Sequence, residues 1–427
     1  MGTGSREENA TDKRAGSKPK KAIVPDSLKP RDAKDVEDAV NWAVAEEKTL
    51  DIVGHGSKRG IGRPAQSDVT LELAALSGVT LYEPEELVLS ARAGTPIAQI
   101  ERLVADSGQE LAFEPMDVGP LFGGLQDAGT IGGVIAANLS GPRRIKAGAA
   151  RDHFLGFTAV SGRGETFKSG GRVVKNVTGY DLCKLLAGCY GTLGVMTDIT
   201  IKTLPRSDMQ TTVLLRGLDD MKAVSAMAAA MGSPCEVSGA AHLPVNGLGG
   251  LRDMVGDQAV TLLRLEGVKP SVDHRVTILT ALLKPYGSAE TIADETSRKL
   301  WRAIRDVMPL ADAGEKALWR LSTAPMQGAA VAQAIAAETD AAYLYDWAGG
   351  LIWLAIDQAH DAGADIVRRH MREAGGHATL IRAPDAVRAK VDVFEPQDEG
   401  VAALSRRVKD SFDPKRILNP GRMWAGV

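Results

Sequence analysis

The apolar positions of the chain fall into two periodicities that alternate from near Val24 onward. Asp32 can cap a helix in which Val36, Val40, Ala43 and Val44 recur at helical spacing. Thr49-Leu-Asp-Ile-Val53 reads as a strand that runs into the glycine loop Gly54 to Pro64. Val69 to Leu73 is a second strand. Leu87 to Ala93 is a third, with Ser90 and Arg92 alternating against Leu89, Ala91 and Ala93. The next helix is marked at both ends, by Thr95 as cap with Pro96 in the first position and by Gly108 beyond the end. Ile97, Ile100, Leu103 and Val104 are its expected buried stripe. The first 110 residues therefore read as α+β.

Residues 119–148 break the pattern, because glycine there is too dense for an ordinary helix or strand and suits a backbone that approaches something closely. A hairpin over 152–168, a short helix from Asp181 to Leu186 and a strand from Gly194 to Leu204 follow. A second region opens with the strand Thr211–Leu215. It continues through helices around 219–231 and 271–285, a strand at Leu351–Ile356, a helix near 362–374 and a strand at His377–Ile381. The expectation is an antiparallel sheet with helices on one face. A helix from Glu399 to Phe412 precedes the C-terminal stretch, and no internal repeat is evident.

Composition narrows the function. A formal net charge of −3 provides no basic field for nucleic acid. The three cysteines, Cys183, Cys189 and Cys235, include no CxxC pair, which argues against a disulfide framework, an iron–sulfur cluster or a structural zinc held by this chain. A reducing, cytoplasmic compartment is expected. The first 23 residues are polar and are expected to be disordered, and no run is apolar for long enough to cross a bilayer.

Candidate chemistry lies in three glycine segments. Gly54, Gly56 and Gly60 nearly form a GxGxxG, but a nicotinamide-binding Rossmann loop must open a helix. Gly60, Gly62 and Pro64 prevent that here. A tight glycine turn can instead offer successive N–H groups to an anion, with Lys58, Arg59 and Arg63 adding positive potential. The second segment, Ala128 to Asn138, combines small residues with the hydroxyl of Thr130, suited to a narrow phosphate-bearing ligand, and the cationic run Gly141-Pro-Arg-Arg-Ile-Lys146 follows. The third, Gly188-Cys-Tyr-Gly-Thr-Leu-Gly194, is a turn into a strand that can present backbone groups to a planar heterocycle.

In this order the segments GHGSKRGIG, AGTIGGVIAANLSGPRR, ARDHFLGFTAVSGRGETFKSGGRVVKNVTGYDL, GCYGTLGVMTDITIKTLP and FDPKRILNPGRM resemble the vanillyl-alcohol oxidase (PCMH-type) flavoprotein superfamily, and within it the FAD-binding subunits of bacterial glycolate oxidases. The resemblance implies an α+β fold: a PCMH-type FAD-binding domain of two subdomains over 24–206, an α+β (ferredoxin-like) cap over 207–395, and a segment 396–427 that returns to the FAD domain. It implies FAD contacts from Gly54, His55, Gly56, Ser57, Lys58 and Gly60 at the pyrophosphate. Thr130, Gly132 and Gly133, with Gly141 and Arg143, would line the same wall. Gly191, Thr192 and Val195 would meet the flavin, and Asn419 and Arg422 would close the site. Some relatives link the flavin to a histidine in the first loop; Gly56 occupies that position here, so dissociable, non-covalent FAD is expected.

Related 2-hydroxy-acid dehydrogenases use cap histidines to hold a metal, but His242, His274, His360, His370 and His377 form no HxH or HxxxH pair, so no metal site is expected and no catalytic residue is assigned. The implied partners are a second FAD-binding subunit and an iron–sulfur subunit, which would receive the electrons, and any membrane contact would be indirect. A free-standing FAD-dependent oxidoreductase acting on another 2-hydroxy acid or alcohol is the alternative.

Overall fold

The computed structural model describes residues 1–2, 26–64, 66–172, 179–313, 315–357 and 360–427. The expected tail, apart from Met1 and Gly2, and residues 173–178 of the long family-like stretch lie outside them.

The first half holds two sheets. A small parallel sheet is ordered β1 (Ser27–Leu28), β3 (Val69–Glu72), β2 (Leu50–Val53). The helix Ala33–Ala45 packs beside it through Val36, Val40 and Ala43, and the Asp32 carboxylate accepts from the Asp35 N–H as its cap. A five-stranded antiparallel sheet combines β4 (Val79–Glu83), β5 (Val88–Arg92), β7 (Phe154–Val160), β8 (Thr166–Gly170) and β9 (Val195–Lys202) in the order β4-β5-β9-β7-β8. A short ladder joins β6 (Gln109–Glu110) to β10 (Leu204–Pro205).

Two local expectations shift. The helix Ile97–Asp106 is capped by Pro96, because Thr95 turns its hydroxyl back to the Gly78 N–H and the Arg92 carbonyl. The glycine-dense second segment does contain a helix, Ile131–Ala137, capped by Thr130 and ended by Asn138 at φ 49°. Tertiary packing overrides propensity here: a Cβ on Gly132 would stand 2.8 Å from the Ala93 carbonyl oxygen, so glycine lets the helix lie directly on the end of β5.

The second half is an eight-stranded antiparallel sheet. Its strands are β11 (Met209–Arg216), β12 (Gly239–Leu243), β13 (Val260–Gly267), β14 (Ala289–Ala293), β15 (Ala317–Thr323), β16 (Ala341–Asp346), β17 (Leu351–Ile356) and β18 (Gly376–Arg382). The spatial order is β14-β11-β13-β12-β16-β17-β15-β18. This is a strand–helix–strand–strand–helix–strand unit used twice and joined edge to edge through β12 and β16. A repeat therefore exists in topology where none was evident in residues. Helices Asp220–Met231, Lys269–Leu283, Gly328–Ala336 and Ala364–Ala374 cover one face. The other face, with Leu318, Leu344 and Trp353, packs on Ile61, Met116, Val118 and Leu121 of the first half and on the helix Asp294–Arg305. The helix Glu399–Phe412 then leads the chain back, and Leu418 bridges Leu50.

Candidate flavin site

A cavity opens where β2, the helix Ile131–Ala137, the turn before β9 and the C-terminal stretch meet. Its first wall is the loop after β2. Gly56 has φ +79°, a conformation that favours glycine. A Cβ on Gly54 would stand 2.3 Å from the Thr130 hydroxyl oxygen, so the loop and the second glycine segment touch backbone to side chain. Among the described residues, the N–H groups of His55, Gly56, Ser57 and Lys58 donate to no protein acceptor. Successive free N–H groups on a glycine turn form an anion nest. Lys58 lines the same cavity and has no carboxylate within ion-pair distance among the described residues. Burial pulls its ammonium down to about 8, against the opposing charge of Asp117. Arg59 also borders the cavity, but its guanidinium is engaged by the Asp51 carboxylate.

The third segment and the C-terminus form the opposite wall. Gly191, at φ +75°, would place a Cβ 2.7 Å from Asn419 Nδ2. Asn419 ties three stretches of chain together: its Oδ1 accepts from the Ile52 N–H at 2.7 Å and its Nδ2 donates to the Tyr190 carbonyl at 2.6 Å. Arg422 Nη2 donates to the Lys58 and Arg59 carbonyls, at 2.9 and 3.2 Å, and so braces the nest from behind. Beneath this lies a buried pair. Lys409 Nζ donates to Asp413 Oδ2, the Thr192 carbonyl and the Leu418 carbonyl, which satisfies all three of its protons.

Of the residues singled out in the sequence, Gly54, His55, Gly56, Ser57, Lys58, Thr130, Gly132, Gly133, Gly191, Asn419 and Arg422 line this one cavity. Five lie elsewhere. Gly60 makes room for the Phe122 ring, 2.4 Å from where its Cβ would be. Gly141 packs on Glu114 and Arg305, and its carbonyl accepts from Trp347 Nε1. Arg143 is spent on a buried ion network with Glu110 and Glu266, while its N–H donates to Glu114. Thr192 is buried with its hydroxyl donating to the Cys189 carbonyl, and Val195 sits in the apolar core. The remaining wall contains Ile52, Leu73, Ala93, Ala136, Tyr190 and Met196, none of which was singled out in the sequence. They are apolar or aromatic side chains with no motif of their own.

The arrangement fits a dinucleotide carrying a diphosphate: free N–H donors and an unpaired ammonium at one end, close-approach glycines along the middle, and apolar and aromatic residues beyond. Loop residues 54–58, Thr130 and Lys58 would hold the diphosphate, and Asn419 and Arg422 would keep the walls in register.

Comparison with known proteins agrees. Residues 27–170 match the FAD binding domain family model, and residues 390–423 match the C-terminal domain of FAD linked oxidases. The chain is 33% identical over 389 residues to the glycolate oxidase subunit GlcE of Escherichia coli (strain K12), covering 90% of this chain and 95% of that protein. It is 25% identical to the glycolate oxidase subunit GlcD of Bacillus subtilis (strain 168), over 98% and 94% of the two chains. Its fold superimposes on substrate-bound p-cresol methylhydroxylase with a TM-score of 0.69 at 13% identity, over 94% of this chain and 88% of the other. With the glycine cavity, the family models and a relative matched over nearly its whole length, the chain belongs to the family of FAD-linked oxidases that includes the glycolate oxidase subunit GlcE.

Proposed function

We propose that this chain is the FAD-binding subunit of a glycolate oxidase complex, in which glycolate is oxidised to glyoxylate and the electrons pass to an iron–sulfur subunit beside a second FAD-binding subunit. The observation that carries the reading is the near full-length likeness to GlcE on a chain that retains the loop, hydroxyl and C-terminal brace of the cavity. Bound FAD would accept the two electrons that leave the CH–OH group. The chain's own residues bind and orient: residues 54–58 and Lys58 hold the diphosphate, Thr130 fixes the helix start beside it, and Asn419 and Arg422 lock the C-terminus over it. The functional division is residues 24–206 for the FAD domain, 207–395 for the cap and 396–427 for the returning segment. No helix among the described residues is long and apolar enough to cross a membrane. In this reading any contact with a membrane is indirect, through the partner subunits. The test is co-expression with the two partner subunits and purification through a tag on this chain. The three should elute together and reduce an artificial acceptor with glycolate, whereas this chain alone should not. Robust turnover by this chain alone would support the free-standing reading instead.

The Lys58 ammonium supplies a pH signature. An ammonium held near 8 in the empty site is raised when an anionic diphosphate binds beside it, so binding takes up a proton above that value. FAD affinity is therefore full below pH 8 and falls as pH rises above it, approaching about tenfold per pH unit. Equilibrium dialysis from pH 7 to 10 should show this slope in the wild type and lose it in Lys58→Met. A flat wild-type profile would remove Lys58 from the diphosphate site.

A further inference from the structure

The β16–β17 turn of the cap is held in an uncommon conformation. Trp347, Ala348 and Gly349 follow one another at φ 50°, 59° and 99°. Two consecutive non-glycine residues in the left-handed region are strained, and such strain persists only where the surroundings impose it. Here the turn presents the Trp347 indole to two arginines. The Arg144 guanidinium carbon lies 4.3 Å from the ring centroid and that of Arg320 lies 5.0 Å away. The indole itself is fixed by its Nε1 donating to the Gly141 carbonyl, three residues before Arg144.

Most partly buried arginines of this protein are neutralised: Arg143 by Glu110 and Glu266, Arg264 by Glu114, Arg305 by Asp306, Arg368 by Glu395. Arg144 and Arg320 are different. Among the described residues, neither guanidinium has a carboxylate within ion-pair distance or donates a hydrogen bond to protein. Burial and the neighbouring Arg144 pull Arg320 down to about 10, and burial pulls Arg144 down as well. Asp346 at the turn is near enough for its charge to favour the Arg320 cation, but its carboxylate makes no ion pair with Arg320: it accepts from the Trp347 N–H, and burial pushes it up to about 7. Two half-buried cations sharing one ring repel each other and cost stability. The Trp347 ring offsets part of that cost, and an anion bound between the two guanidinium groups would offset the rest.

The location points to the ligand. Arg320 lies on β15, on the sheet face that packs against the first half, with Thr379 of β18 opposite it. Its charge bears on the phenol of Tyr190, a residue that lines the flavin cavity. We propose that Arg144 and Arg320, seated on Trp347, form the site that binds a small carboxylate beside the flavin cavity. A planar carboxylate matches the guanidinium fork, and the indole supplies an apolar floor for a short carbon chain. The proposal deepens the reading above, because it gives this chain its own contact with a 2-hydroxy or 2-oxo acid.

Isothermal titration of the purified FAD-loaded chain with oxalate tests it. Oxalate should bind the wild type. Arg320→Gln and Arg144→Gln should each weaken it by about tenfold or more, and Arg320→Lys should recover part of the loss. Inorganic phosphate also fits a guanidinium fork but offers no flat face to the indole floor, and it should bind more weakly. Arg320→Met should abolish oxalate binding and at the same time raise the melting temperature, a combination that a merely structural arginine would not give. Absence of oxalate binding in the wild type, unchanged affinity in both glutamine variants, or phosphate binding as tightly as oxalate would overturn the proposal. Glycolate turnover by the three-subunit complex is scored separately. Turnover without oxalate binding here sinks this site and spares the proposed function, and oxalate binding without turnover does the reverse.

Discussion

Gly54→Val should cost most of the FAD affinity while leaving most of the fold intact. Any side chain at position 54 drives its Cβ to 2.3 Å from Thr130 Oγ1 and 2.9 Å from Thr130 Cγ2, so rotating the threonine does not clear the contact. The loop must move away from the helix Ile131–Ala137, and the N–H groups of residues 55–58 then no longer converge with Thr130. Loss of a correctly placed nest is expected to weaken FAD by about 100-fold or more, roughly 2.7 kcal/mol. The stability cost is limited to disturbance of the Thr130 cap, on the order of 1 kcal/mol. Fluorescence titration with FAD and a urea melt measure the two effects. Gly54→Ala combined with Thr130→Ala removes the two shortest contacts, leaving one of 3.1 Å to the residue 130 Cβ, and should recover part of the affinity. A Gly54→Val protein that retains FAD would show that the loop does not form the diphosphate wall.

Lys409→Met should be the most destabilising single change among those considered. Lys409 and Asp413 are both fully buried, 2.8 Å apart, and the carboxylate also accepts from the Ile417 and Leu418 N–H groups. Removing the ammonium leaves a buried carboxylate without its counter-charge and frees the Thr192 and Leu418 carbonyls. Breaking a buried pair from one side costs about 3–5 kcal/mol. The damage is transmitted to the site, because Leu418 bridges β2 and the next residue, Asn419, ties Ile52 to Tyr190. FAD affinity should therefore fall together with the urea midpoint. In Lys409→Met/Asp413→Leu the loss should be smaller than the sum of the two single changes. A Lys409→Met protein within about 1 kcal/mol of wild type would mean that the pair does not anchor the C-terminal brace.

Much of this was legible in the sequence wherever a local rule decided the outcome. Asp32 caps the helix that it was expected to cap, the short helix expected from Asp181 starts one residue later with Asp181 as its cap, and the alternation at Val88–Arg92 is a strand. The loop after β2 and the Asn419 and Arg422 positions converge on one cavity, from opposite ends of the chain. What escaped was decided by distant partners. Arg143 lies in a cationic run suited to phosphate, but Glu266, 123 residues away, claims its guanidinium. Val195 begins a strand whose alternation buries it and turns Gly194 and Met196 to the cavity instead. Propensity argued against a helix at 131–137, but packing against Ala93 favours one. The doubled unit of the eight-stranded sheet was invisible because its two copies share strand order and not residue types. Arg320, 176 residues from Arg144, meets it only on the Trp347 ring.

This chain alone should hold FAD, without a covalent link, in the cavity between the glycine loop and the C-terminal brace. Acid precipitation of the purified chain, followed by a flavin assay of supernatant and pellet, tests it most directly. The purified protein should be yellow and release about one FAD per chain into the supernatant, with far less released from Gly54→Val. A colourless chain that takes up no added FAD, or flavin that stays with the precipitate, would contradict it.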